Sequence, residues 1–552
     1  MSAPAIRVDR ILGAGPFREI GEPLVAELSP DGALIVVGGD LGWLQWHGQD
    51  VSRGARRSSC FAVYDGLVCL HLVPTRWPAK AIAFHPTLPI VTIGTGSYDG
   101  GYYYEGQLLL LDLLTGSVVS LLERPREVRK ITWRDERTLD LVLAVPSDEH
   151  EERLGRTSVA CSLRRDDWDR ATDGMLNPRE EISVPDSETS DPGAAAALVE
   201  RFCRERGVTW EPRRAVWAVR ALLDGRVIAA LEGVAMECWS PDSDEVAWRL
   251  PAEGKGCQVH LSPEGKTAFT LTQAAGRWSQ TGRTWITEPS SVAEVSLDGG
   301  DALATWDIGS KAVMTVRTDG WWVLREAEPF GDPSVGSVTL WSPRGLRSAI
   351  VQLGQYDLFN HYFAIRYAPD LLFLQGSASN PWKDKWVVAV DPPSGAVRRL
   401  FPLEWDKARG RQLFGGPGAY LSGDRPAVVH AGTVHDGRGL LPGNSFVACR
   451  AYPGGEALWV FTADVQATDL DTDGDHVYVA FNSGDLVVLR AADGAALARH
   501  EVRLDDRRVI PLSLAVAGPG RVLIGTLDGM VLACSVDMAQ HYEFSTALDR
   551  LL

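Results

Sequence analysis

Short apolar runs separated by compact turns recur along the whole chain. Residues 24–28 and 33–37 are two such runs, and the turn Ser-Pro-Asp-Gly at residues 29–32 separates them. Proline presets one backbone dihedral of this turn, and glycine takes a positive one. Variants recur at residues 85–88, 240–243, 262–265, 296–299, 342–345, 471–474 and 526–529. The pattern predicts antiparallel hairpins, with turns at Asp31-Gly32, Asp298-Gly299, Asp473-Gly474 and Asp528-Gly529.

A second turn type strengthens the prediction of repeats. An apolar run, an Asp, a turn that ends in Gly and another run follow one another at residues 108–118, 390–397 and 489–497. In a four-stranded unit this turn is expected to join the third and fourth strands, while the Ser-Pro-Asp-Gly type joins the first and second. Residues 466–497 contain both turns in that order.

Residues 466–497 resemble a repeat of the WD40-like and quinoprotein-alcohol-dehydrogenase-like β-propeller superfamilies. The resemblance implies an all-β fold made of four-stranded antiparallel blades. About eleven such units begin along the chain, and one ring usually holds roughly four to eight blades. We therefore expect two consecutive propellers, at residues 1–330 and 331–552. The alternative is a single ring with long insertions, in which the segments near residues 334 and 371 are loops.

One region breaks the pattern. Residues 165–212 are largely polar, and a short run at 193–206 is predicted to be helical because Asp191 and Pro192 form a suitable helix start. We interpret this region as a surface insertion between blades, with a docking element as the alternative.

Composition narrows the class of protein. The 552-residue chain is 45% hydrophobic and 23% charged, as in ordinary globular proteins. Its net charge of −17 argues against nucleic acid or an anionic membrane as a partner. No apolar segment has the length of a signal peptide or a membrane span, so a cytoplasmic location is expected. Only 8 of the 55 basic residues are Lys, which is typical of GC-rich bacterial genomes.

No metal or cofactor site is predicted. The eight scattered cysteines are interpreted as buried thiols without metal-binding spacing. Asp469, Asp471 and Asp473 resemble half of a calcium loop, but Ala480 occupies the twelfth position, so a hairpin is favoured. The glycine-rich residues 94–101 lack a lysine and a following helix, and are expected to form a long hairpin.

Catalytic motifs are also missing from the sequence. It contains no Gly-x-Ser-x-Gly elbow and no clustered histidine motif. His47, His260, His361 and His430 could meet across a ring, but each is more typical of a structural histidine. No catalytic residue is therefore assigned. The alternative function is a hydrolase or lyase for a small polar or carbohydrate-like substrate, with its site at a propeller channel.

Surface aromatic residues are the best candidates for a binding site. Tyr102, Tyr103 and Tyr104 lie between glycines, where all three rings cannot easily be buried, and Trp382 is similar in kind. One ring of Trp321-Trp322 is expected in a core. The sequence predicts a non-enzymatic scaffold that binds another protein, as in a subunit of a bacterial regulatory or defence complex.

Overall fold

The computed structural model describes most of the chain. The described residues are 6–41, 59–98, 102–155, 157–178, 182–185, 191–274, 277–278, 285–286, 290–308, 312–326, 337–343, 345–353, 365–377, 384–403, 412–435, 440–504 and 507–536. Trp382, His47 and His361 lie outside these ranges.

The chain divides into two compact units. The smaller unit contains the described residues of Ala14–Leu44 and Arg56–Arg214, and the larger contains those of Met1–Gly13 and Ala215–Leu552. Residues on both sides of position 330 belong to the larger unit. The division into two rings near that position stays a prediction.

The smaller unit contains three four-stranded antiparallel sheets. The first is β2 (Glu22–Leu28), β3 (Leu34–Asp40), β4 (Ser59–Asp65) and β5 (Val68–Pro74). The second is β6 (Ala79–Phe84), β7 (Ile90–Thr95), β10 (Leu108–Asp112) and β11 (Val118–Ser120), with the small ribbon β8 (Ser97–Tyr98) and β9 (Tyr104–Glu105). The third is β12 (Val128–Trp133), β13 (Thr138–Ala144), β14 (Ser158–Arg164) and β15 (Ile182–Val184). The helices are α1 (Asp148–Leu154) and α2 (Pro192–Arg204), with 3-10 turns at Arg18–Ile20 and Trp168–Arg170.

The larger unit begins with a six-stranded antiparallel sheet. Its strands are β16 (Val216–Ala221), β17 (Val227–Trp239), β18 (Val246–Leu261), β19 (Thr267–Ala274), β22 (Ser290–Ser296) and β23 (Ala302–Ile308), beside the ribbon β20 (Arg277–Trp278) and β21 (Trp285–Ile286). Next come β24 (Ala312–Val316), β25 (Trp322–Glu326), β26 (Ser337–Trp341) and β27 (Arg347–Gln352), and then the three-stranded β29 (Leu371–Gly376), β30 (Lys385–Val390) and β31 (Val397–Pro402). Strands β26 and β29 therefore begin close to residues 334 and 371, where the single-ring alternative requires loops.

Three sheets complete the larger unit. The first contains β28 (Ile365–Arg366), β32 (Gln412–Leu421), β33 (Ala427–His435), β34 (Leu440–Ala451) and β35 (Ala457–Ala463). The second contains β36 (Ala467–Thr472), β37 (His476–Phe481), β38 (Asp485–Arg490) and β39 (Ala496–Glu501), followed by the ribbon β40 (Arg503–Leu504) and β41 (Arg507–Arg508). The third contains β42 (Pro511–Gly518), β43 (Arg521–Thr526) and β44 (Val531–Val536), and β1 (Ile6–Leu12) pairs antiparallel with β44.

The predicted hairpins are confirmed. All four turns, including Asp298-Gly299 and Asp528-Gly529, join adjacent antiparallel strands. At the first of them the Ser29 hydroxyl donates to Asp31 at 2.6 Å, and the Ser29 side chain also accepts the Leu34 amide at 2.9 Å. Gly32 has φ +71°, a conformation that favours glycine. Local chemistry therefore closes the hairpin.

The position of a turn within its sheet is less regular than predicted. Asp31-Gly32 and Asp473-Gly474 do join the first and second strands of a sheet. Asp528-Gly529 instead joins β43 to β44, the second and third strands, and residues 342–345 join β26 to β27, the third and fourth. Turn residues determine a local hairpin, but they do not determine which strands of the sheet the hairpin joins.

Helix α2 confirms the predicted helical run, but it is not a peripheral insertion. Asp191 caps its start by accepting from the Gly193 and Ala194 amides. Val199 and Phe202 are buried in a hydrophobic cluster with Phe17, which belongs to the same smaller unit as α2. Because its apolar face belongs to a core, the segment cannot be an independent surface element.

Other predictions can be compared with single residues or elements of the structure. Helix α1 is an addition to the predicted single helical region. Trp322 is fully buried, as expected for one ring of its pair. All eight cysteines lie in described residues, none forms a disulfide, and six of them are buried. Across the described part of the chain, no helix is long and apolar enough to cross a membrane.

Candidate functional site

The three adjacent tyrosines have different environments. They lie on and beside β9, opposite the start of α1, where the Asp148 amide donates to the Tyr102 carbonyl at 3.1 Å. The side chain of Tyr103 is 52% exposed, whereas Tyr104 is half-buried and packs against a core cluster of the smaller unit. Tyr98, a neighbour that the sequence did not single out, is 40% exposed. We call Tyr98 and Tyr102–Tyr104 the tyrosine patch.

Helix α1 holds the patch with its carboxylates. Tyr98 donates to Asp148 at 2.7 Å, and Tyr104 donates to Glu151 at 2.9 Å. A hydrogen bond to Glu149 raises the pKa of Tyr102 to about 12, and burial with the Glu151 bond raises that of Tyr104 to about 12. The raised pKa values keep the Tyr102 and Tyr104 hydroxyls protonated, and thus able to donate, further into the alkaline range.

The rings also contact one another. Tyr98 and Tyr104 have centroids 4.8 Å apart, and Tyr102 and Tyr103 meet edge-on at the same separation. The Arg129 guanidinium lies 5.3 Å from the Tyr104 ring. Mutual ring contacts and anchored hydroxyls fix the rotamers, so little side-chain entropy is left to lose on binding.

The surface around the patch is acidic. Asp148, Glu149 and Glu151 lie in the first turn of α1, and Glu152 follows. Within the described residues, none of these four carboxylates forms an ion pair with a cationic side chain. The patch therefore combines exposed aromatic rings with uncompensated negative charge.

A second candidate site is a polar cavity inside the larger unit. It has a volume of about 410 Å³, and β16, β18, β24, β28, β32, β36 and β42 contribute its walls. Four cationic side chains and two acidic ones line it: Arg220, Lys255, Arg317, Arg366, Asp469 and Asp471. Tyr367 lines it too and is half-exposed.

Arg366 is the centre of the polar network in this cavity. Its guanidinium contacts Asp469 at 2.7 Å and Asp471 at 2.9 Å, and donates to the Leu514 carbonyl at 2.7 Å. Asp469 and Asp471 are two residues apart on β36, so they project on the same side of the strand. They also accept the Leu514 amide and the Val516 amide, respectively. Both carboxylates are thus saturated by fixed donors.

Tyr367 is held in an unusual backbone conformation beside this network. Its φ is +63°, in the left-handed region that a bulky residue occupies at a cost of about 1 kcal/mol or more. Its hydroxyl donates to Asp471 at 2.9 Å. Strain of this kind beside a cavity is typical of functional positions.

Arg220 has no comparable partner. Among the described residues, its side chain donates to the neighbouring Val219 carbonyl at 2.7 Å and forms no ion pair with a carboxylate. Burial and the nearby charge of Arg366 lower the pKa of Arg220 to about 10. The same two influences, with the charge of Arg220 added, lower the pKa of His260 to about 3, so this histidine is neutral.

The other candidate residues resolve as follows. His430 is buried and bonded to Arg450 at 3.2 Å, as a structural histidine, while His260 lines the cavity. Asp473 serves the predicted hairpin by accepting the His476 amide and the Tyr478 hydroxyl. No group of three or more metal-ligating side chains occurs among the residues that the structure describes.

Sequence reasoning missed α1 and the cavity arginines Arg220 and Arg366. Helix α1 had local signals, namely an acidic first turn, Arg153 near its end and Gly155 just after it. Arg220 and Arg366 had none, because each is a single charged residue in a short strand. A scan against models of protein families and a search of curated proteins both returned no match.

Proposed function

We propose that this chain is a non-enzymatic β-propeller scaffold whose tyrosine patch binds a basic segment of another protein. The observation that carries the proposal is the association of exposed Tyr98 and Tyr103 with the carboxylates of α1. Aromatic rings provide contact area, and cations bind over ring faces and to carboxylates. A segment that contains Arg or Lys beside an apolar residue complements both features.

The propeller part of the proposal rests on strand contacts in the larger unit. There β16 contacts β42, β42 contacts β36, and β36 contacts β32, while β19 contacts β24 and β24 contacts β29. Strands of successive sheets meet in this way when blades surround an axis. From these contacts we infer an arrangement like that of the WD40-like and quinoprotein-alcohol-dehydrogenase-like folds. A cytoplasmic, bacterial setting fits the composition, and a role as a subunit of a regulatory or defence complex is part of the proposal.

The enzymatic alternative needs a histidine and a carboxylate in hydrogen-bond contact at a channel. In the cavity, Nε2 of His260 forms no hydrogen bond with a described residue, and Asp469 and Asp471 are already bonded to Arg366. These contacts favour binding over general acid–base chemistry.

Peptide selection tests the proposed partner chemistry. A phage-displayed random peptide library is selected on the full chain and, in parallel, on a Tyr98→Ser/Tyr103→Ser variant. We expect peptides enriched in Arg or Lys to bind the wild-type chain and to lose at least about tenfold in affinity on the double variant.

Leu114→Ser is the matched control, because Leu114 is an exposed apolar residue in a hairpin of the same unit. It should leave the affinity unchanged. Enrichment of acidic or uncharged peptides, or equal affinity for the double variant, would overturn the proposal.

A further inference from the structure

A different observation concerns charge in the cavity of the larger unit and does not depend on the proposed scaffold function. Two of the four cationic side chains that line the cavity have carboxylate partners. Arg366 contacts Asp469 and Asp471, and Arg317 contacts Asp319 through two hydrogen bonds of 2.8 and 2.6 Å. Arg220 and Lys255 remain.

Neither of these two cations has an ion-pair partner among the described residues. Lys255 lies 4.7 Å from the Trp217 ring. Glu232 faces Lys255 in the β17–β18 register, but its carboxylate accepts from the Trp217 indole at 3.0 Å and forms no ion pair with Lys255. Arg220 lies next to Arg366, and its guanidinium has no carboxylate within ion-pair distance among the described residues, although Asp469 and Asp471 balance the combined charge of the two arginines.

Buried polar atoms in the cavity wall are a second indication of a bound ligand. Thr468 is 1% exposed and lines the cavity, and its Oγ1 forms no hydrogen bond with a described residue. Nε2 of His260, another lining residue, is also buried and lies within ordinary hydrogen-bond geometry of no polar atom in the described part of the chain. A buried polar atom left unsatisfied costs free energy, so such atoms usually mark a water or a ligand.

Part of the remaining lining is apolar. Trp217, Leu261, Val313, Val316 and Leu512 contribute hydrophobic wall next to the charged residues. A ligand that fits both parts has an anionic group and a compact apolar body. The cavity volume of about 410 Å³ lies in the range of sites for small organic molecules.

We propose that this cavity binds a small organic anion whose carboxylate or phosphate group contacts Arg220, with Lys255, Thr468 and His260 as further polar contacts. The guanidinium offers two parallel donors to either group. Thr468 Oγ1 donates to an anion oxygen, and neutral His260 donates if its proton lies on Nε2. The network of Arg366, Asp469 and Asp471 acts as a positioning element that fixes the walls.

Isothermal titration calorimetry at constant ionic strength tests the site, with phenyl phosphate, benzoate and inorganic phosphate as probes. Benzylamine is the probe of opposite charge. We expect at least one anion to bind the wild-type chain and benzylamine not to bind. Arg220→Gln should weaken anion binding at least about tenfold. Arg521→Gln, on the exposed side of β43, should leave it unchanged.

Lys255→Gln and Thr468→Val provide tests that do not depend on Arg220. Each should weaken binding several-fold, and Lys266→Gln is the exposed control for the lysine. Failure of all three anions to bind below about 10 mM would overturn the proposal. Equal binding by Arg220→Gln and wild type, with circular dichroism showing both folded, would overturn it as well.

Discussion

The tyrosine patch and the cavity of the larger unit both contain tyrosines bonded to carboxylates, but the two sites carry charge of opposite sign. In the patch, tyrosine hydroxyls bond to carboxylates that have no described cationic partner, so the surface stays negative. In the cavity, Tyr367 bonds to Asp471, but Arg366 and Arg220 together balance this carboxylate and Asp469, and Lys255 leaves an excess of positive charge. The pairing of the carboxylates, more than their presence, decides which charge a ligand must have.

The largest effect should follow from breaking the compensated network. Arg366→Met leaves Asp469 and Asp471 without their cation in a buried site, and we expect a loss of about 3–5 kcal/mol in the free energy of unfolding. Urea denaturation of the full chain measures it. Arg317→Met is the matched control, because Asp319 is half-exposed and the pair should contribute less than about 1 kcal/mol. Similar losses in the two variants would contradict the distinction between the pairs.

The patch lies on a unit whose core includes α2, and a second variant tests that placement. Phe202 is buried against Phe17, with ring centroids 6.1 Å apart. Phe202→Ala should destabilise the smaller unit by about 3 kcal/mol because it leaves a cavity. Arg201→Ala, at the neighbouring exposed position, should cost less than about 0.5 kcal/mol. A negligible effect of Phe202→Ala would restore the view of residues 165–212 as a peripheral insertion.

Raising the pH above 9 should change the stability of the fold in opposite directions through the two regions, by smaller amounts than the substitutions above. The pKa of Tyr104 is raised from 10.0 to about 12, so its bonded neutral form stabilises the fold below pH 10, and that contribution is lost between pH 10 and 12. The pKa of Arg220 is lowered to about 10, so the cost of its charge is present below pH 10 and is relieved above it.

Melting temperatures between pH 9 and 12 measure both contributions. Tyr104→Phe should make the alkaline loss of stability smaller, and Arg220→Gln should make it larger. Absorbance of tyrosinate gives the phenol titration directly. If both variants shift the profile in the same direction, the two groups are not in opposite environments.

Local and distant features differ in how far the sequence could predict them. Asp31-Gly32 and Asp473-Gly474 predict their hairpins because a turn is determined by adjacent residues. The start of α2 at Pro192 was predictable for the same reason, whereas its burial against Phe17 was not. Arg366 and Asp469 are 103 positions apart, and no local pattern pairs a single arginine with a carboxylate at that distance.

The most direct test of opposite charge selectivity uses one calorimetric design with two ligands. Phenyl phosphate and a basic peptide selected on the wild-type chain are titrated separately into wild type and Arg220→Gln at fixed ionic strength. The account predicts that Arg220→Gln loses at least about tenfold in affinity for phenyl phosphate and retains full affinity for the peptide. Loss of both affinities, or of neither, would contradict it.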